Sequence, residues 1–271
     1  MLFSHVLGAF FLKRPLWISG TFFPKRPLWV FGAFLEKRTF KGRTTSPPMQ
    51  VNKRLQRDLQ TMMSEEMTSL GIYYIINEAD SKKGTGLIFG PEETPYANCP
   101  LFFSVQIPAD YPFSSPVVLI ITSDGETRFH PNLYVGGKVC LSILGTYSGP
   151  SWVSTLNIGS VFKSIVSLLD KNPITNEPGW ESYAETHPKA KAYAEWVEYR
   201  LLKHTLIGNR QFEHGTNELW AKFADVFEEV WPAHLAKIRA RVEAKANEPP
   251  KEYLSIPYGM SGISKWAELP F

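Results

Sequence analysis

The sequence predicts an α+β fold: an N-terminal helix, a four-stranded antiparallel meander, a cysteine-bearing loop and a core helix in succession, with a helical extension at the C-terminal end. Three observations predict it. Apolar residues recur at helical spacing from Val51 to Leu70. Four short segments rich in β-branched and aromatic residues follow, separated by turn residues, and a second strong helical stripe runs from Ile158 to Leu169. Strands met one after another through short connections pair as antiparallel neighbours, and the helices before and after them cover the sheet.

Composition sets the class. The chain has 271 residues, 44% hydrophobic and 20% charged, which is a globular balance long enough for one sizeable domain plus an addition. Two cysteines supply neither a disulfide framework nor a cysteine-based zinc site, so a reducing compartment, cytoplasmic or nuclear, is expected. His187, His204, His214 and His234 lack ligand spacing; no metal and no cofactor is called for. No apolar run reaches the length of a transmembrane segment, and Leu2 to Leu12 lacks the flanks of a signal peptide.

Charge is uneven along the chain. Residues 1–60 hold 11 Lys/Arg against 2 Asp/Glu, leaving 18 against 24 for the remainder. That basic head carries an internal repeat, GAFFLKRPLWI, GTFFPKRPLWV and GAFLEKRTF, beginning at Gly8, Gly20 and Gly32. Its basic and aromatic units could tether the chain to a membrane surface or a nucleic acid. Units this short, broken by Pro and Gly, bury little. The favoured reading is therefore a duplication, or translated sequence upstream of the real start, that forms no core, with no nucleic-acid partner and with Met49 where the ordered pattern begins.

A Pro-containing linker, residues 44–48, leads into the first helix, whose stripe is Val51, Leu55, Leu59, Met62, Met63, Met67 and Leu70, ending near Gly71. Lys53, Arg54 and Arg57 lie on its opposite face. Strands are expected at Ile72 to Asn77, at Gly86 to Phe89, at Leu101 to Ile107 as an alternating strand, and at Val117 to Thr122 as a buried run. Two prolines stiffen the connection Tyr111-Pro112-Phe113-Ser114-Ser115-Pro116. Asn157 is placed to cap the core helix. Past Tyr183 the pattern turns helical, with stripes around Ala190 to Leu201 and Leu219 to Val230, the latter running through Pro232. The tail from Asn247 is Pro-rich and aromatic.

Chemistry concentrates in Phe129 to Trp152, FHPNLYVGGKVCLSILGTYSGPSW. A His-Pro-Asn turn, His130, Pro131 and Asn132, stands shortly before Cys140. Thiol-based acyl transfer needs a sulfur to hold the acyl group and a donor for the oxyanion formed on attack. The plain alternative is a hairpin in which Asn132, Gly136 and Gly137 are turn residues and Cys140 a small buried hydrophobe. A Cys–His protease pair fits less well, because no Gly-x-Cys elbow surrounds the thiol. Cys99, in ANCPLF, reads as structural.

The larger pattern resembles the ubiquitin-conjugating enzymes: HPNLYVGGKVCLSIL, then Trp152, then the helix-like IGSVFKSIVSLL. The insert GTYSGP after Leu144 and the ending NPITNEPGWE are similar to the large Z-type branch of that family. The resemblance spans roughly residues 47–183. It implies the ubiquitin-conjugating fold for a catalytic core (47–184); the repeat head (residues 1–46), expected from its composition to be disordered, lies outside it, and a helical extension (185–271) follows. It further implies a transferase that takes ubiquitin or a ubiquitin-like modifier from an activating enzyme as a thioester on Cys140, then passes it to a substrate lysine or a ubiquitin ligase.

In the same reading Asn132 serves the oxyanion or holds the loop, while His130 and Pro131 fix the geometry of the turn. Glu177 precedes Pro178 much as the family's Asp precedes its Pro, given a one-residue adjustment, and would receive the lysine amine. Without the resemblance it is equally a loop carboxylate in water. Phe113 is implied as a ligase contact, and Lys53, Arg54 and Arg57 as the face that docks the activating enzyme; as a charge cluster alone they make only a solvated face. Val153-Ser154-Thr155 departs from the Ser-Pro-Ala of many relatives, which puts ordinary RING-type ligases in doubt. The competing class is a catalytically idle scaffold of the same fold that binds ubiquitin or ligases, against which the retention of Cys140 and Asn132 argues.

Overall fold

The computed structural model describes residues 53–270; the repeat head, the linker and Val51 lie outside the described residues. Helix α1, Lys53–Met62, buries Leu55, Leu59 and Met62. The stripe does not continue as one helix to Gly71. Ser64 takes extended backbone and precedes a separate short helix α2, Glu65–Ser69, with Glu65 and Glu66 in its first turn, where acidic residues are favoured.

Four strands follow as an antiparallel meander in the order β1-β2-β3-β4: β1 Ile72–Ile76, β2 Lys83–Phe89, β3 Pro100–Gln106 and β4 Val117–Ile120. Strand β2 begins three residues before the expected Gly86. The turn ahead of it is closed by the Asn77 side chain, which accepts from the Ala79 N–H at 2.9 Å and so sets Gly84 opposite Ile76.

Helix α3, Ile158–Leu168, crosses one face of the sheet. A capping box starts it: Asn157 accepts from the Ser160 N–H at 2.8 Å, and Ser160 accepts from the Asn157 N–H. Phe162 meets Tyr74 and Phe103 edge-on, with ring centroids 6.1 and 5.9 Å apart. Gly86 is required there, because a Cβ on it would lie 2.1 Å from the Phe162 ring.

The C-terminal extension covers the other face. It consists of α4, Pro188–Glu213; α5, Glu218–Ala221; and α6, Ala224–Lys245, which continues through Pro232. Phe102 packs on Phe223 at 5.6 Å, and Phe89 stacks on His234 at 4.1 Å. Strand β3 is consequently buried on both faces from Pro100 to Phe103 rather than alternating. Strand β4 shows the reverse: Val118 and Ile120 are buried, whereas Val117 and Leu119 point outward and are exposed. The expected buried run is thus an alternating edge strand, because the extension covers the sheet over β2 and β3 and leaves the outer face of β4 open.

The tail forms a hairpin, β5 Lys251–Ile256 and β6 Met260–Ser264, that the sequence reading leaves unassigned. It packs on α4 through Tyr253 against Trp196, 5.5 Å between centroids. A side chain on Gly262, at φ +153°, would come within 2.4 Å of the Trp196 ring. Core and extension thereby share one continuous apolar cluster. Among the described residues no helix is long and apolar enough to cross a membrane.

Candidate active site

The segment after β4 folds into a tight hairpin whose two arms carry the candidate residues. The Cys140 N–H donates to the Asn132 carbonyl at 2.8 Å, and the Tyr134 N–H to the Lys138 carbonyl at 2.9 Å. Gly137, at φ +94°, closes the turn between them. This pairing sets Asn132 directly across from Cys140. The Asn132 side chain adds a second tie, its Nδ2 donating to the Cys140 carbonyl at 2.8 Å, while its Oδ1 is buried without a partner. An amide nitrogen carries two N–H groups, so one remains for another acceptor. The hairpin of the plain alternative is therefore present, and it is the same hairpin that sets Asn132 opposite Cys140, with the side-chain amide on the Cys140 carbonyl.

Both cysteines are buried, as the plain alternative expects of Cys140, which keeps 5% of its surface open against none for Cys99. Burial pushes the Cys99 thiol up to about 11, which removes it as a nucleophile near neutral pH.

His130 is fully engaged. Its Nδ1 accepts from the Asn132 N–H at 2.9 Å, and Nε2 lies 2.9 Å from the Leu168 carbonyl at the end of α3. A carbonyl only accepts, so the proton sits on Nε2 and the ring is neutral; burial depresses its pKa to about 3. Neither nitrogen bonds to Cys140, and the ring instead hangs the His-Pro-Asn turn from the core helix.

The insert after Leu144 contributes a residue that the sequence reading missed. Thr146 Oγ1 donates to the Val139 carbonyl at 2.6 Å and accepts from the Leu141 N–H at 2.9 Å, bracing both neighbours of Cys140. Gly145, left-handed at φ +68°, lets the chain double back to make these bonds. The only signal in the sequence is that glycine beside a hydroxyl residue.

Glu177 ends the helical turn Pro173–Asn176. Its Oε2 accepts from the Tyr258 hydroxyl at 2.7 Å and lies 3.9 Å from Arg128 Nη2. Arg128 in turn donates to the Pro131 carbonyl and lies between two aromatic faces, 3.7 Å from the Tyr134 centroid and 4.2 Å from that of Tyr258. Glu177 thus joins the His-Pro-Asn turn through Arg128, and among the described residues it makes no hydrogen bond to Cys140 or Asn132. Neither Arg128 nor Tyr258 was singled out from sequence, because they come from segments far apart in the chain.

Of the surface candidates, Phe113 is 79% exposed and Val153 is exposed nearby in sequence space to Trp152, whose Nε1 donates to the Pro112 carbonyl at 2.7 Å. Lys53 and Arg57 are exposed on α1. Arg54 departs from the expected docking set. It pairs with Asp58 at 2.8 Å and donates to the Ser154 and Leu156 carbonyls at 2.7 and 2.8 Å, so its guanidinium fastens α1 to the segment after Trp152.

Comparison with known proteins bears on the same region. A 40% identical relative, ubiquitin-conjugating enzyme E2 Z of Homo sapiens, aligns over 164 residues, 60% of this chain and 45% of the relative. The human dual E2 ubiquitin-conjugating enzyme/E3 ubiquitin-protein ligase BIRC6 is 48% identical over 101 residues, 35% of this chain and 2% of the relative. A solved E2 domain of a Toxoplasma gondii ubiquitin conjugating enzyme is 27% identical with a TM-score of 0.41, covering 54% of this chain and 95% of that one. The chain spans about half the length of the E2 Z relatives it matches. Residues 54–200, more than half of the chain and including the whole cysteine hairpin, match the ubiquitin-conjugating enzyme family, and the chain belongs to that family.

Proposed function

We propose that this protein is a ubiquitin-conjugating enzyme that carries ubiquitin or a ubiquitin-like modifier as a thioester on Cys140. The observation that carries the reading is the pairing of Cys140 with Asn132 across one hairpin. Cys140 Sγ attacks the modifier's acyl carbon on the activating enzyme and displaces that enzyme's thiol. A substrate lysine, or the thiol of a ligase, then displaces Cys140. The unused Nδ2 hydrogen of Asn132 serves the oxyanion formed in each step. His130, neutral and bonded at both nitrogens, orients the turn and takes no proton. Glu177 receives the lysine amine, Phe113 meets ligases, and Lys53 and Arg57 present the basic face to the activating enzyme.

The test is charging. The protein is mixed with activating enzyme, ATP and ubiquitin, and in parallel with ubiquitin-like modifiers and their own activating enzymes, then run on a non-reducing gel. A band removed by reductant is expected with at least one modifier and is expected to be absent in Cys140→Ala. A wild-type protein that charges with none of them, or an alanine variant that charges normally, would overturn the assignment.

A further inference from the structure

We infer that Tyr258, at the turn of the C-terminal hairpin, is a positioning residue for transfer to lysine, holding one oxygen of Glu177 so that the other is presented to the incoming amine. The inference rests on the proposed readings of Cys140 as the thioester site and of Glu177 as the carboxylate that receives the lysine amine. It adds a role for the extension that the transfer reaction by itself does not require.

The Glu177 carboxylate is used asymmetrically. Both of its described partners, the Tyr258 hydroxyl and Arg128 Nη2, are on Oε2. The side chain remains 30% exposed, and among the described residues Oε1 receives no hydrogen bond. A carboxylate fixed through one oxygen has its second oxygen aimed, which is what an acceptor for an ammonium or amine N–H needs. Arg128 links this carboxylate to the catalytic turn by donating to the Pro131 carbonyl. Its own backbone carbonyl accepts from the Tyr193 hydroxyl of α4 at 2.8 Å. The extension therefore grips the site twice, through Tyr193 and through Tyr258.

The backbone at Tyr258 supports a specific role. It is left-handed at φ +67°, ψ +23°, between Pro257 and Gly259, where a bulky residue is disfavoured. Such conformations persist where the surroundings over-determine them. The ring alone could be explained as packing, since it meets Tyr193 edge-on at 5.7 Å and covers Arg128. The hydroxyl is not needed for that packing. Burial and the neighbouring Glu177 carboxylate push the phenol well above its usual range, so it remains a donor throughout the working pH range.

In the transfer step the amine nitrogen bonds to the acyl carbon and the C–S bond breaks, its electron pair staying on Cys140 Sγ. The proton lost by the amine passes to a solvent base. Glu177 Oε1 accepts a hydrogen bond from an N–H of that amine and keeps its lone pair directed at the carbon. Attack by a small thiol needs no such acceptor, which separates positioning of the amine from general integrity of the fold.

The full chain is charged with whichever modifier gives the reducible band, the activating enzyme is stopped, and discharge is timed with free lysine and, separately, with dithiothreitol. Tyr258→Phe keeps the ring and removes the hydroxyl. The ratio of lysine to thiol discharge rates is expected to fall about tenfold, the size of one hydrogen bond to a charged group. Glu177→Gln, which leaves the Tyr258 ring in place, is expected to lower the ratio by at least as much, and Tyr258→Phe added to it to lower it no further. An unchanged ratio in Tyr258→Phe, an unchanged ratio in Glu177→Gln, or multiplicative losses in the double variant would each overturn the inference while leaving Cys140 charging intact. Failure of the wild-type protein to charge would instead remove the reading beneath it.

Discussion

At His130 the chemistry is decided by burial rather than by residue type. An imidazole beside a cysteine invites a proton-transfer role, yet both of its nitrogens are occupied and its pKa is held near 3. The unfolded chain, with an ordinary value of 6.5, binds more protons than the folded one between those limits. Stability from this group is therefore complete above about pH 6.5 and falls as the pH drops toward 3. His204 and His234, also depressed chiefly by burial, act with the same sign. Urea unfolding should show stability falling from pH 6.5 to 5 by about 1.4 kcal/mol per pH unit for each fully depressed histidine. A flat profile would mean the ring is not held neutral. The sequence singled out Cys140, Asn132 and His130 as candidates because a short motif places all three along one hairpin. Arg128, Thr146 and Tyr258 were invisible to it, since a hydrogen bond across the fold leaves no local spacing to read.

Among elements, the most consequential joint is between α1 and the two loops flanking the cysteine hairpin. Asp58, buried on α1, takes Arg54 at 2.8 Å and the Tyr111 hydroxyl at 2.5 Å, while Arg54 holds the carbonyls of Ser154 and Leu156. Removing the carboxylate takes this acceptor from both the Arg54 guanidinium and the Tyr111 hydroxyl. Asp58→Ala should lower the unfolding free energy by about 2–4 kcal/mol, whereas Arg57→Ala on the exposed side should change it by less than about 0.5 kcal/mol. Equal effects in denaturant titrations would refute the joint. The existence and order of the helices and strands were legible because periodicity and turn residues are local. Two burial patterns were misread for one shared reason. Leu101 to Phe103 alternates only if one side of β3 meets water, and Val117 to Thr122 is fully buried only if something covers the outer face of β4. Where the extension lands on the sheet is a tertiary fact that neither segment records.

For the molecule as a whole, the layer formed by α5 and α6 makes the extension part of the folding unit. Phe227 lies 4.4 Å from Trp220, 6.0 Å from Phe89 and 6.4 Å from Phe102, ring to ring, so it joins the extension to β2 and β3. Phe227→Ala should cost about 3–5 kcal/mol and lower one shared calorimetric transition. If the variant instead split the melt in two, with the cysteine-bearing part unaffected, the two parts would be independent. The shared layer also limits how the chain can be shortened for laboratory work. The family match stops at Arg200, midway along the helix Pro188–Glu213, so a fragment trimmed to that boundary would sever a helix and strip the cover from Phe89 and Phe102. Such a piece would expose a greasy sheet and clump, and workable expression boundaries have to lie beyond the last hairpin.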